Sequence, residues 1–168
     1  MIKIEKLIDG LKSISDEHFT CDNVYGYLSE NPIDVDFITR YFFWSTDFYT
    51  RNLIYKDDRF EMMAICWESG QVSRIHNHSD QKCWMTVPVG RLRGLNVAVA
   101  EIAESSGNCK LTETNTFELS DCQAATVELE EPIHQTPTTA EFDARSVCIQ
   151  IHYKPYVPCP CYCHAPDH

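Results

Sequence analysis

Near Arg59 the hydrophobic pattern of this 168-residue chain changes period, and that change limits what it can fold into. Downstream stand six short runs favouring extended structure: RFEMMAICWE, KCWMTVPVG, LRGLNVAVAEI, TFEL, ATVEL and SVCIQIHY. Turn residues separate them, and no helical pattern lies between them. Parallel strands need crossover connections, usually helical. The runs are therefore expected to pair as antiparallel strands, in a sandwich or barrel. Upstream the reading is helical. IEKLIDGLKSI carries apolar residues at helical spacing, and DNVYGYLSENP stops where Asn31-Pro32 forbids continuation. DVDFITRYFFW is a third short helix candidate. The chain reads as one mainly β domain, with a helical cap over about residues 1–45, a β-barrel over about 46–160 and a cysteine-rich tail over 159–168.

The formal charge of −11 argues against a nucleic-acid partner and against an anionic membrane surface, both of which recruit Lys and Arg. No apolar run approaches the roughly 20 residues that span a bilayer. The opening MIKIEKLIDGLKSI is amphipathic without the apolar core of a signal peptide, so a cytoplasmic protein is expected. Nine cysteines, an odd number, do not suit a secreted disulfide framework. Cys66, Cys122 and Cys148 lie in apolar runs and read as buried thiols. In the tail CPCYCHAPDH, Cys159, Cys161, Cys163 and His164 offer soft-metal donors, but without a second cluster.

The stretch SRIHNHSDQKCW carries the chemistry. His76 and His78 stand two apart, so on a strand both imidazoles point to one face. His134, in EEPIHQTPT, can supply a third ligand from a later strand. Three neutral imidazoles on one face of a divalent ion leave positions open for substrate and oxygen. An isolated H-x-H is more often chance on an exposed strand; the surroundings argue otherwise. Gly70, His76, His78, Cys83 and Gly90 resemble the first cupin motif, G-x5-H-x-H-x4-E-x6-G, with cysteine in place of glutamate. The second cupin motif is partly matched: Pro132 and His134 are present, its glycine is absent, and Thr138 stands for asparagine. The resemblance implies a jelly-roll barrel.

Within the cupins the chain more closely resembles the cysteine dioxygenases. YTRNLIY (Tyr49 to Tyr55), MMAICWESGQVSRIHNHSDQKCW and YKPYVPC are similar to segments of that family, over roughly residues 40–160. The resemblance implies Fe(II) held by His76, His78 and His134, with a small thiol and O2 as substrates and L-cysteine as the first candidate. It implies Arg51 as a carboxylate clamp, with bidentate charge-assisted hydrogen bonds, and Tyr49 beside it. It places Cys83 beside the metal rather than on it, and a monomer or weak homo-oligomer is expected.

The chain departs from the family on its last barrel strand, where many members carry Ser-x-His-x-Tyr and the tyrosine can be joined to the cysteine after H-x-H. SVCIQIHYKPY has no such triad, and two registers are open. One aligns Tyr153 with the family tyrosine. The other places Cys148, Gln150 and His152 in the triad positions, and strand alternation favours it because it sets the polar residues on the interior face. The altered triad keeps two further readings open: a related enzyme acting on a cysteine derivative or other carboxylate-bearing thiol, and a non-catalytic metal-binding cupin.

Overall fold

The computed structural model describes residues 1–78, 81–102, 109–127, 133–136, 144–155 and 161–162, with backbone alone at 101, 102, 127, 161 and 162. Two helices lead, α1 (Ile4–Ser13) and α2 (Cys21–Glu30). Among the described residues ten strands follow: β1 (Thr50–Lys56), β2 (Phe60–Trp67), β3 (Ile75–His76), β4 (Lys82–Val89), β5 (Arg91–Ile102), β6 (Cys109–Ser120), β7 (Ala124–Val127), β8 (His134–Gln135), β9 (Ser146–Tyr153) and β10 (Cys161–Tyr162). They form two five-stranded sheets, ordered β1-β2-β9-β4-β7 and β10-β3-β8-β5-β6, with antiparallel pairing throughout. The antiparallel pairing is the one expected of the strand runs, and the two-sheet arrangement is the jelly roll that the resemblance implies.

The first sheet is covered on both faces, which is why β2 and β9 read as nearly unbroken apolar runs. Every residue of β2 is buried. Alternate side chains divide between two cores. Phe60, Met62, Ala64 and Cys66, with Ile149, Ile151 and Trp84, pack under the helices against Ile4, Leu7, Leu11 and Leu28. Met63, Ile65, Trp67, Met85, Val87 and Cys148 face the barrel interior with Leu92 and Leu119 of the second sheet.

The cap is fastened to the barrel by directed bonds as well as by apolar burial. Ile4, Leu7 and Leu11 form the buried stripe of α1. Thr20 caps α2, its hydroxyl accepting from the Asn23 amide at 3.3 Å. The Trp84 indole donates to the Cys21 carbonyl at 3.1 Å, and the Lys82 ammonium donates to the Phe19 carbonyl at 3.0 Å. Phe19 itself lies against Phe60, Trp84 and Tyr153, at ring-centroid distances of 5.8, 5.6 and 4.9 Å.

Several expectations need correction. The third helix candidate is not an α-helix: it forms two 3-10 turns, Val35–Phe37 and Thr39–Tyr41. Val35, Ile38 and Thr39 are β-branched and weaken α-propensity there. TFEL is the end of a twelve-residue strand, β6. Its earlier half is polar and largely exposed, which hid it. Cys66 and Cys148 are buried as expected, whereas Cys122 is only half-buried. Residues 159, 160 and 163–168 of the tail lie outside the described residues, as do Pro132 and Thr138.

Candidate metal centre

Two glycines set the approach to the site. Gly70 (φ +82°) turns the chain between β2 and β3, and Gly90 (φ +69°) turns it between β4 and β5, both in the left-handed region that glycine tolerates without strain. A Cβ on Gly90 would stand 2.5 Å from the Arg145 carbonyl oxygen. Between these turns β3 delivers His76, and the chain beyond it delivers His78. His76 is paired in register with His134 on β8.

The three imidazoles converge. Their ring centroids lie 5.3 Å (His76–His78), 4.5 Å (His76–His134) and 4.9 Å (His78–His134) apart. The Nε2 atoms of His78 and His134 face each other at 3.2 Å. Two nitrogens bound to one ion at about 2.1 Å stand roughly 3.0–3.4 Å apart for the bond angles of tetrahedral or octahedral sites, so the spacing fits a shared ion. Nδ1 of His76 lies 2.7 Å from the Arg74 carbonyl, so it carries the proton and leaves Nε2 as the donor to metal. Burial lowers the His76 imidazole below its ordinary value. Burial first, then His134, His152, His76 and Arg51, pushes His78 down to about 2. Both are therefore neutral, the form that ligates. The set can hold a metal ion.

Arg51 and Tyr49 line a cavity of about 600 Å³ that also reaches His76 and Gly70. Arg51 projects from β1 opposite Ile65 of β2, and Tyr49 stacks on Trp67 with centroids 4.2 Å apart. The guanidinium is close enough to bear on His76 and His78 electrostatically. A second cavity, of about 470 Å³, opens beside His134 between Met85, Asn96 and Phe117.

The last barrel strand takes the register that turns Cys148, Gln150 and His152 inward. His152 is paired with Cys83 on one side and with Glu61 on the other. Tyr153 is not brought to Cys83: it faces the helical cap, stacked on Phe19 with the Lys82 ammonium 5.5 Å from its ring centroid. The tyrosine is thus removed from the site, because consecutive strand residues point to opposite faces. Gln150 is buried, and its side-chain carbonyl oxygen finds no hydrogen-bond partner among the described residues. Burial raises the Cys83 thiol well above its ordinary value and pushes Cys148 up to about 12.

One residue escaped sequence reasoning. Glu61 is buried at 4% exposure, with its carboxylate 3.4 Å from Nδ1 of His152 and 3.3 Å from the Lys56 ammonium. The signal was available: a lone carboxylate inside the apolar run RFEMMAICW must be paired, because burying an unpaired charge is costly.

Three histidines able to hold a metal ion, set between the two sheets of a jelly roll, form an arrangement of the cupin type. The family model described as "Cysteine dioxygenase type I" matches residues 15–165, and the chain belongs to that family. Cysteine dioxygenases type 1 of Danio rerio and Rattus norvegicus are each 39% identical to it over 46 residues, a stretch covering 27% of this chain and 23% of the relative. The matched stretch is thus less than a quarter of those relatives' length. A Klebsiella pneumoniae protein with a double-stranded β-helix domain superposes at a TM-score of 0.50 with 10% identity, covering 74% of this chain and 88% of that one, which speaks to the fold alone.

Proposed function

We propose that this protein is a non-haem Fe(II) thiol dioxygenase that adds both atoms of O2 to the sulfur of L-cysteine, giving cysteine sulfinate and one proton. The observation that carries the reading is the convergence of His76, His78 and His134 on one point, beside a cavity shared with Arg51. Family membership supports the reaction class. Bound Fe(II) would supply the positions at which thiolate and oxygen meet.

The chain's own residues do the rest. Arg51 receives the substrate carboxylate in a two-bond fork, fixing the direction in which the thiol approaches. Tyr49, held flat on Trp67, forms the wall beside that fork. The buried faces of His78 and His134 exclude water from the far side. Six cysteines among the described residues are free thiols, which suits a reducing compartment such as the cytoplasm.

A second reading concerns the substrate. The inward row of Cys148, Gln150 and His152, with Glu61 behind it, differs from the family triad and favours a cysteine derivative or another carboxylate-bearing thiol. Oxygen uptake by the iron-loaded protein against a panel of thiols tests both. Uptake with L-cysteine supports the first reading, and uptake confined to another carboxylate thiol supports the second. Absence of uptake with every thiol would sink both.

A further inference from the structure

Glu61, His152 and Cys83 lie in one row across β2, β9 and β4, each paired in register with the next. His152 is fully buried, with its Nδ1 edge 3.4 Å from the Glu61 carboxylate and its ring 5.2 Å from that of His78. The donor atoms of His78, Cys83 and His152 all lie within 4.8 Å of one another, a grouping that shares His78 with the three-histidine set, so the two positions are alternatives for one imidazole and are not filled together.

We propose that His78, Cys83 and His152 form a second metal position, thiolate with two imidazoles, which takes a borderline-soft divalent ion such as Zn²⁺ or Co²⁺. Bonds of about 2.0–2.3 Å in a tetrahedral site place such donors roughly 3.3–3.6 Å apart, so shifts of about 1 Å or less per side chain close the set. A carboxylate on the outer nitrogen of a ligating histidine is the usual support of such a site, because it fixes the tautomer and turns the other nitrogen's lone pair to the ion. Glu61 stands in that place behind His152. A sulfur donor distinguishes this position from the all-nitrogen set and selects a softer ion for it. Binding displaces the Cys83 proton to solvent and leaves the thiolate on the ion. The position does not depend on the oxygenase reading, since it needs neither substrate nor O2.

The test is an anaerobic Co²⁺ titration of the chelator-treated full chain, followed in the near ultraviolet for the thiolate-to-cobalt charge-transfer band. The wild type is expected to develop the band, and His76→Ala to keep it. Cys83→Ser, checked as folded by circular dichroism, is expected to lose it, and Glu61→Gln to shift its midpoint to about 10- to 100-fold higher cobalt. A band that survives Cys83→Ser would come from other thiols, the tail cysteines included, and overturns the proposal; so does a wild type without one. If Cys83→Ser does not fold, His152→Ala decides: an unchanged band overturns the assignment, a lost one supports it. Oxygen uptake by the iron-loaded wild type is scored separately. Uptake without a cobalt–thiolate band removes only the second position, and a band without uptake removes only the dioxygenase reading.

Discussion

Replacing Arg51 with alanine probes substrate recognition without touching the metal. Arg51 lies on β1, outside the three-histidine set, and its side chain opens into the cavity that reaches His76. Hydrogen bonds to a charged partner contribute about 1.5–3 kcal/mol each when sheltered. Arg51 is solvent-exposed in the free protein, so the lower part of that range applies, about 1.5–2 kcal/mol for the clamp as a whole. That corresponds to a rise in KM for L-cysteine of about 10- to 30-fold at 25 °C, at the tenfold per 1.4 kcal/mol of an equilibrium constant. The assay is steady-state oxygen consumption with L-cysteine and with cysteamine, which lacks the carboxylate, alongside iron content. Arg51→Ala should lose its preference for L-cysteine over cysteamine and retain iron. An unchanged preference would remove Arg51 from the substrate site, and loss of iron would show that it serves the metal centre instead.

Three further outcomes follow from the fold. Trp84→Ala removes a fully buried indole that packs edge-on against Phe19 and donates to Cys21, and should cost about 3–5 kcal/mol in urea unfolding. Gly90→Ala forces a Cβ into the left-handed region and against the Arg145 carbonyl, and should lower stability by about 2 kcal/mol or more by the same measurement. The hydrogen bond to Asp57, 2.6 Å long, raises the Tyr55 phenol to about 12, so ultraviolet titration should show a late-ionising phenol that Asp57→Asn brings back toward 10. Because that folded-state value is raised, the associated stability is present below pH 10 and is lost as pH rises toward 12.

The barrel was legible where burial on both faces wrote long apolar runs, as in FEMMAICW and SVCIQIHY. It was not legible at β3 and β8, two-residue strands too short to carry a period, which only their histidines marked. β1 lies inside the expected barrel bounds but carried no apolar run of its own, because Thr50, Arg51 and Asn52 interrupt its pattern. At the site, spacing along the chain named His76, His78 and His134, and strand alternation favoured His152 over Tyr153 without fixing the register. Cross-strand register made that choice, by setting His152 opposite Cys83 and Tyr153 opposite Lys82. The apolar run around Glu61 signalled a paired carboxylate, but not its partner His152, which lies 91 residues away.

Dioxygenation of a thiol at the three-histidine seat is decided by single-turnover reaction of the iron-loaded protein with L-cysteine under ¹⁸O2, with mass analysis of the product. Cysteine sulfinic acid carrying two ¹⁸O atoms is expected, with no product from His76→Ala stripped of iron. Incorporation of a single label, or equal product from the iron-free variant, would contradict dioxygenation at that seat.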